Sequence, residues 1–308
     1  MGFGFAFWFL TWFSVSGGRA PSLPPDPVVV CDSTLFSVPF TLAGNLILLQ
    51  AKADTLSGYY VMDTGAPGLV LNSTYFRDLA ATAADDRGGI TGQVSNAARA
   101  SVDSLRIGPV HYYRLDADVI DLGHIENRKG VRIFGLLGVR LFEGFEMVVD
   151  YRARRLYLRK LPRNDPPGQD PFLQDTLNLR SLPFELVEDK IIIEATLKGK
   201  KLKFIIDSGA ETNILDSRLP SRLFDQVEVT RRVTLTGSGS QESEALYGKL
   251  RNLKLGTETL GVLPVVITNL DNMCLTYNYC LDGMLGFDFL TLRKIGFNFN
   301  TKRMYLWK

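Results

Sequence analysis

Histidine and cysteine are scarce in this chain of 308 residues, which has two histidines, His111 and His124, and three cysteines, Cys31, Cys274 and Cys280. No HExxH or CxxC spacing occurs among them, which excludes the common zinc-ligand patterns. No GxSxG elbow accompanies either histidine, so a Ser-His-Asp or Cys-His hydrolase lacks its setting. Excess charge is also missing. Lys and Arg total 35 against 33 for Asp and Glu, a net of +2, too little to draw a nucleic-acid backbone or an anionic membrane. After residue 15 no uncharged apolar stretch reaches the length of a membrane-spanning helix. Any chemistry is therefore expected to rest on carboxylates, with no metal and no cofactor.

Hydrophobic residues at 45% and charged residues at 22% are the proportions of an ordinary globular chain, and the length suggests two domains. Residues 1–18 begin MGFGFAFWFLTWFSV and end Ser16-Gly17-Gly18, the apolar core and small residues of a signal peptide, although no Lys or Arg precedes the run. The expected location is therefore extracytoplasmic, secreted or periplasmic; the alternative is a buried or membrane-dipping amino-terminal segment. Residues 19–36 form a Pro-rich lead-in, with four prolines between Arg19 and Val28.

The rest of the chain is written twice. Ser37-Val38-Pro39-Phe40 recurs as Ser181-Leu182-Pro183-Phe184, and Asp63-Thr64-Gly65-Ala66 as Asp207-Ser208-Gly209-Ala210, both at an offset of 144. Gly135-Leu136-Leu137-Gly138 matches Gly283-Met284-Leu285-Gly286, and Arg155-Leu156-Tyr157-Leu158 matches Arg303-Met304-Tyr305-Leu306, both at 148. A duplication explains this, with a loop absorbing the difference. The copies span residues 37–158 and 181–308, joined by a Pro-, Asp- and Arg-rich linker at 159–180.

Within a copy the pattern is mostly β. Leu46 to Ala53 and Ile191 to Leu197 are β-prone runs, and Leu105 to Gly108 and Leu253 to Gly256 alternate with the period of half-buried strands. One short helix per copy is expected, near Ser73 to Ala83 in the first, with Ser73 as its cap. The Arg152 to Lys160 cluster reads as a strand with a basic solvent face.

The tetrapeptide D-[ST]-G-A follows an apolar strand in both copies, and glycine there permits a tight turn that presents the acid at the edge of a lobe. A single such tetrapeptide occurs by chance in roughly one per cent of chains this long; two at matching repeat positions do not. Asp207 to Leu215, DSGAETNIL, and Asp63 to Asn72, DTGAPGLVLN, resemble the catalytic loops of the aspartic peptidases of the pepsin and retropepsin group, in a two-lobed, bacterial-type form. The apolar pairs before Gly138 and Gly286 resemble a second element of that family. The resemblance covers residues 37 to 308. It implies a mainly β protein of two homologous retropepsin-like β-barrel lobes about a pseudo-twofold axis, with peptide or protein substrates. It implies Asp63 and Asp207 as catalytic acids, Thr64 and Ser208 bonding across to the opposite loop, and Gly65 and Gly209 bringing backbone N–H groups to the carboxylates.

Two acids about 3 Å apart share one proton and titrate as a unit. Ala66 and Ala210 stand where pepsin-like enzymes often carry a further hydroxyl, so a less acidic optimum than pepsin's is expected. Glycine-rich segments, with Gly89, Thr91 and Gly92 in the first copy and Thr236 and Gly237 in the second, are candidate flaps; ordinary surface turns are the alternative. The acids are expected to pair within one chain, making a monomer with an internal pseudo-dimer, although pairing between two chains also fits the sequence. A noncatalytic peptide-binding or scaffold protein of the same fold is the main competing function. Cys274 and Cys280 could close a small disulfide loop in an oxidising compartment, or remain two buried thiols. The two histidines are expected in surface or loop positions.

Overall fold

The structure is a computed structural model that describes residues 7–9, 13–14, 28–31, 33–79, 81–83, 87–89, 92–94, 98–161, 179–237, 242–271 and 280–308. Each copy begins with a three-stranded meander of tight two-residue turns. In the first copy Leu35–Ala43, Leu46–Ala53 and Leu56–Met62 pair in order. In the second, Glu185–Val187, Lys190–Leu197 and Lys200–Ile206 do the same. The apolar runs make these strands, and their inward residues supply matching cores. Leu48, Val61, Ala66, Val70 and Leu136 cluster in one lobe, and Ile192, Ile205, Ala210, Ile214 and Met284 occupy the corresponding places in the other.

The apolar-Gly elements lie in the middle of each lobe. Gly135–Leu137 runs parallel to Tyr60–Met62 and antiparallel to Leu69–Leu71. Gly283–Leu285 does so between Phe204–Ile206 and Ile214–Leu215. The protein is thus mainly β, two barrel-like lobes of one design.

A six-stranded sheet joins the lobes, in the order Leu179–Pro183, Arg303–Trp307, Ile295–Asn298, Phe145–Asp150, Arg155–Lys160, Leu35–Ala43, three strands from each copy. At its centre Val148 faces Gly296, Met147 faces Phe297 and Val149 faces Ile295. Residues 148 and 296 are themselves repeat equivalents, and the flanking pairs exchange under the same offset, so the pseudo-twofold axis passes through this pair. The basic cluster ends in a strand with Arg152, Arg154, Arg155 and Lys160 exposed, as expected, while Arg159 is buried and its Nε donates to Glu146 Oε2 at 2.9 Å.

The helix expected near Ser73 to Ala83 is absent. Asn72 Oδ1 accepts the Thr74 N–H at 3.1 Å and the Leu122 N–H at 3.3 Å, fixing a turn in place of a helical cap. The chain then enters strand Ala81–Ala83, which pairs with Ala98–Ala100; this long-range ladder overrides the local pattern. The second copy has a short helix, Ser221–Phe224.

Of residues 1–18, Phe7–Phe9 lies parallel to Leu235–Gly237 and Phe13–Ser14 antiparallel to Arg87–Gly88. In the Pro-rich lead-in, Val28–Cys31 is a strand beside Val110–Tyr113. Among the described residues no helix is long and apolar enough to cross a membrane. Most of the linker, residues 162–178, lies outside the described residues.

Candidate active site

Each aspartate sits where a central strand leaves the sheet. The Asp63 N–H donates to the Leu137 carbonyl and the Asp207 N–H to the Leu285 carbonyl, both at 3.0 Å, so the apolar-Gly strand anchors each loop. Gly138 and Gly286 permit the close approach. A Cβ on Gly138 would lie 2.4 Å from the Ala66 carbonyl, and one on Gly286 would lie 2.5 Å from the Ala210 carbonyl.

The two loops are bound to each other reciprocally. The Thr64 N–H donates to Ser208 Oγ at 3.0 Å, and the Ser208 N–H to Thr64 Oγ1 at 2.9 Å. Thr64 Oγ1 donates to the Ile206 carbonyl at 2.9 Å and Ser208 Oγ to the Met62 carbonyl at 2.8 Å. Every partner is the repeat equivalent of another, and all four bonds are buried.

This arrangement brings Asp63 and Asp207 together, each 0% exposed. The Gly65 N–H donates to Asp63 Oδ1 and the Gly209 N–H to Asp207 Oδ1, both at 2.8 Å. Each glycine also abuts the opposite acid. A Cβ on Gly65 would lie 2.6 Å from Asp207 Oδ2, and one on Gly209 would lie 2.6 Å from Asp63 Oδ1. The carboxyls interact with one another, while Oδ2 of each receives no other donor from the described protein. Two carboxylate oxygens satisfy each other only through a proton held between them.

Burial is the largest influence on both acids and raises both above the ordinary carboxylate range. For Asp63 the Asp207 charge adds to this. Backbone N–H groups act the other way on both, from Gly65 on Asp63 and from Gly209 and Ala210 on Asp207, so the two titrate as a unit.

A third charged group, Lys190, is present that the sequence reading did not single out. Its side chain is buried, and Nζ donates to the Gly65 carbonyl across the lobe interface. Burial pushes it down to about 8 while Asp63 and Asp207 pull it back up. A signal was available in the repeat, since the equivalent of Lys190 in the first copy is apolar Leu46.

The glycine-rich candidates lie on two hairpins. Gly89 faces Gly92, and Arg87–Gly89 and Gly92–Val94 continue the register of the Ala81–Ala83 ladder. In the second copy Thr236 faces Glu242 and Gly237 ends the strand Val227–Gly237. Thr91 lies outside the described residues. So does Cys274; Cys280 is disulfide-bonded and Cys31 is a free thiol. His111 is on strand Val110–Ile120 and His124 on helix Gly123–Lys129. No cluster of three or more metal-ligating side chains occurs among the described residues.

A family model described as aspartyl protease matches two regions of the chain, residues 54–141 and 193–289, each containing one of the two acids. No curated protein matches the chain.

Proposed function

Because the chain belongs to the aspartyl protease family, we propose that it is an endopeptidase in which Asp63 and Asp207 act as one catalytic pair. The observation that carries this reading is the buried contact between the two carboxyls, each backed by the N–H of its own loop glycine. The pair works with one proton. The ionised member takes a proton from the attacking water as its oxygen bonds to the peptide carbonyl carbon, and the protonated member gives its proton to the carbonyl oxygen. The resulting tetrahedral species collapses as the C–N bond breaks. A proton passes to the leaving nitrogen, the carboxylic acid product forms, and the pair returns to one proton. These steps use proton transfers alone, with no covalent enzyme intermediate.

The substrate is an extended peptide or protein segment. The two hairpins offer strand edges to such a chain, and Phe7–Phe9 and Phe13–Ser14 of the protein itself pair with strands of these hairpins. With a hairpin in each lobe, a bound peptide would be covered from both copies. The working form is a single chain whose lobes pair internally. The apolar residues 1–18 direct it outside the cytoplasm, a placement with which the Cys280 disulfide fits.

The test is proteolysis of an unfolded substrate from pH 3 to 8 by the parent protein and by Asp63→Asn and Asp207→Asn. Loss of cleavage in both variants, with pepstatin-type inhibition of the parent, is the expected result. Retained cleavage in either variant defeats the shared-proton mechanism. Binding of the inhibitor with no cleavage by the parent favours a peptide-binding protein of this fold.

A further inference from the structure

Lys190 opens the strand Lys190–Leu197 and is only 1% exposed, on an otherwise apolar stretch that continues Ile191-Ile192-Ile193. An ammonium group buried this deeply is costly unless anions compensate it. The preceding turn is costly as well. Glu188 and Asp189 have φ of 46° and 61°, a left-handed backbone that L residues other than glycine adopt at some expense. Asp189 is held from the opposite lobe by Arg140, whose Nε lies 3.3 Å from its Oδ2. The duplicate copy avoids both costs, with Gly44-Asn45 at its turn and fully buried Leu46 in place of the lysine. One lobe thus keeps an inexpensive hairpin, and its twin carries a strained one that delivers a cation to the lobe interface.

That cation reaches Gly65, the glycine whose N–H supports Asp63 and whose Cα abuts the carboxyl of Asp207. The other charged groups around it are Asp189 and Arg140, which form an ion pair with each other, and Glu188 in the turn. Glu143, half-buried beside Asp189 and Arg140, is held toward its neutral form by burial. Tyr151, which faces Asp207, is a buried phenol that stays neutral. Of the carboxylates acting on Lys190, Asp63 and Asp207 pull most strongly, ahead of Asp189.

We propose that Lys190 is a positioning residue for the aspartate pair, its ammonium and its bond to Gly65 holding one net negative charge on Asp63 and Asp207 so that one of them is ionised and can serve as the base. This rests on the peptidase reading above and deepens it. Burial and mutual repulsion push both acids toward the protonated form, and the N–H groups of Gly65 and Gly209 act against this together with the charge of Lys190. With Lys190 charged, the three groups together are neutral when the pair holds a single proton. The absence of hydroxyls at Ala66 and Ala210 is thereby offset by a positive charge on the other side of the loop.

The experiment compares the parent with Lys190→Leu, which copies the residue of the other lobe, Lys190→Met, which keeps the length, and Lys190→Arg, which keeps the charge. Circular dichroism and melting first identify the folded variants. For folded Lys190→Leu or Lys190→Met, the acid limb of kcat/KM should move up by about one pH unit or more, a loss of about tenfold at pH values below the new limb. KM should change little on the plateau, and Lys190→Arg should restore the parent limb. A folded neutral variant whose acid limb overlays the parent's overturns the proposal. If the parent cleaves nothing, the peptidase reading fails by itself. The proposal is then read from the pH dependence of melting, where the neutral variants should move the titration of the pair upward and superimposable curves overturn it.

Discussion

The hydroxyl of Ser208 can be removed with a consequence worked out bond by bond. Ser208→Ala deletes the acceptor of the Thr64 N–H, now at 3.0 Å, and the donor to the Met62 carbonyl, now at 2.8 Å. Both orphaned groups are buried backbone at the junction of the lobes. A buried polar group stripped of its partner costs about 1–3 kcal/mol, so the loss should be about 2–6 kcal/mol. The readout is the urea midpoint with its slope unchanged. Ser208→Thr, which copies the hydroxyl of the opposite loop, should remain within about 1 kcal/mol of the parent. Thr64→Val orphans the other two groups, the Ser208 N–H and the Ile206 carbonyl. The two hydroxyls share no bond with each other, yet they close one ring between the loops. Once either is gone the loops can separate, so the double variant should lose less than the two single losses combined, by more than about 0.5 kcal/mol. Parent-like midpoints for Ser208→Ala would refute the reasoning outright. Strict additivity would refute the claim that the four bonds act as one clasp.

Other outcomes follow from the buried charges. Both acids are raised in the folded protein, so each favours the fold fully below its unfolded value near pH 4 and loses that contribution as the pH rises through its folded value. Asp63→Asn should therefore melt above the parent at pH 7, with the gap closing toward pH 4, by about 1.4 kcal/mol for each pH unit of the raised value; parallel melting curves across that range would contradict this. Lys129 Nζ lies 2.6 Å from Glu211 Oε1 with both side chains largely buried across the lobe interface. Lys129→Met should cost about 3–5 kcal/mol in urea unfolding, and adding Glu211→Leu should recover most of it, since the stranded carboxylate and not the lost pair carries the penalty.

The outline of the molecule was legible because duplication writes its signals twice. The aspartate tetrapeptides, the apolar-Gly elements and the meander strands all recur at fixed offsets, and the structure places each recurrence at an equivalent position. Sequence reasoning failed where a residue acts through a partner from the other lobe. Glu188-Asp189-Lys190 looks like a solvated charged turn, because nothing local reveals that Gly65 lies against the lysine. The expectation of a less acidic optimum considered Ala66 and Ala210 and overlooked that cation. Pro67 of one copy stands where the other has Glu211, whose salt bridge to Lys129 of the opposite lobe needed the interface. The Ser73 to Ala83 helix failed for a related reason, since a ladder formed with Ala98–Ala100 outweighed the spacing of a few apolar residues.

The Leu46 and Lys190 positions show what joining two halves in one chain permits. In an assembly of identical subunits every substitution is made twice, and a lysine at this place would bring two ammonium groups to a single pair of acids. The covalent tie removes that constraint. Each half can then specialise, one retaining an oily plug and the other acquiring an electrostatic trim, while the sheet centred on Val148 and Gly296 keeps the geometry of twins.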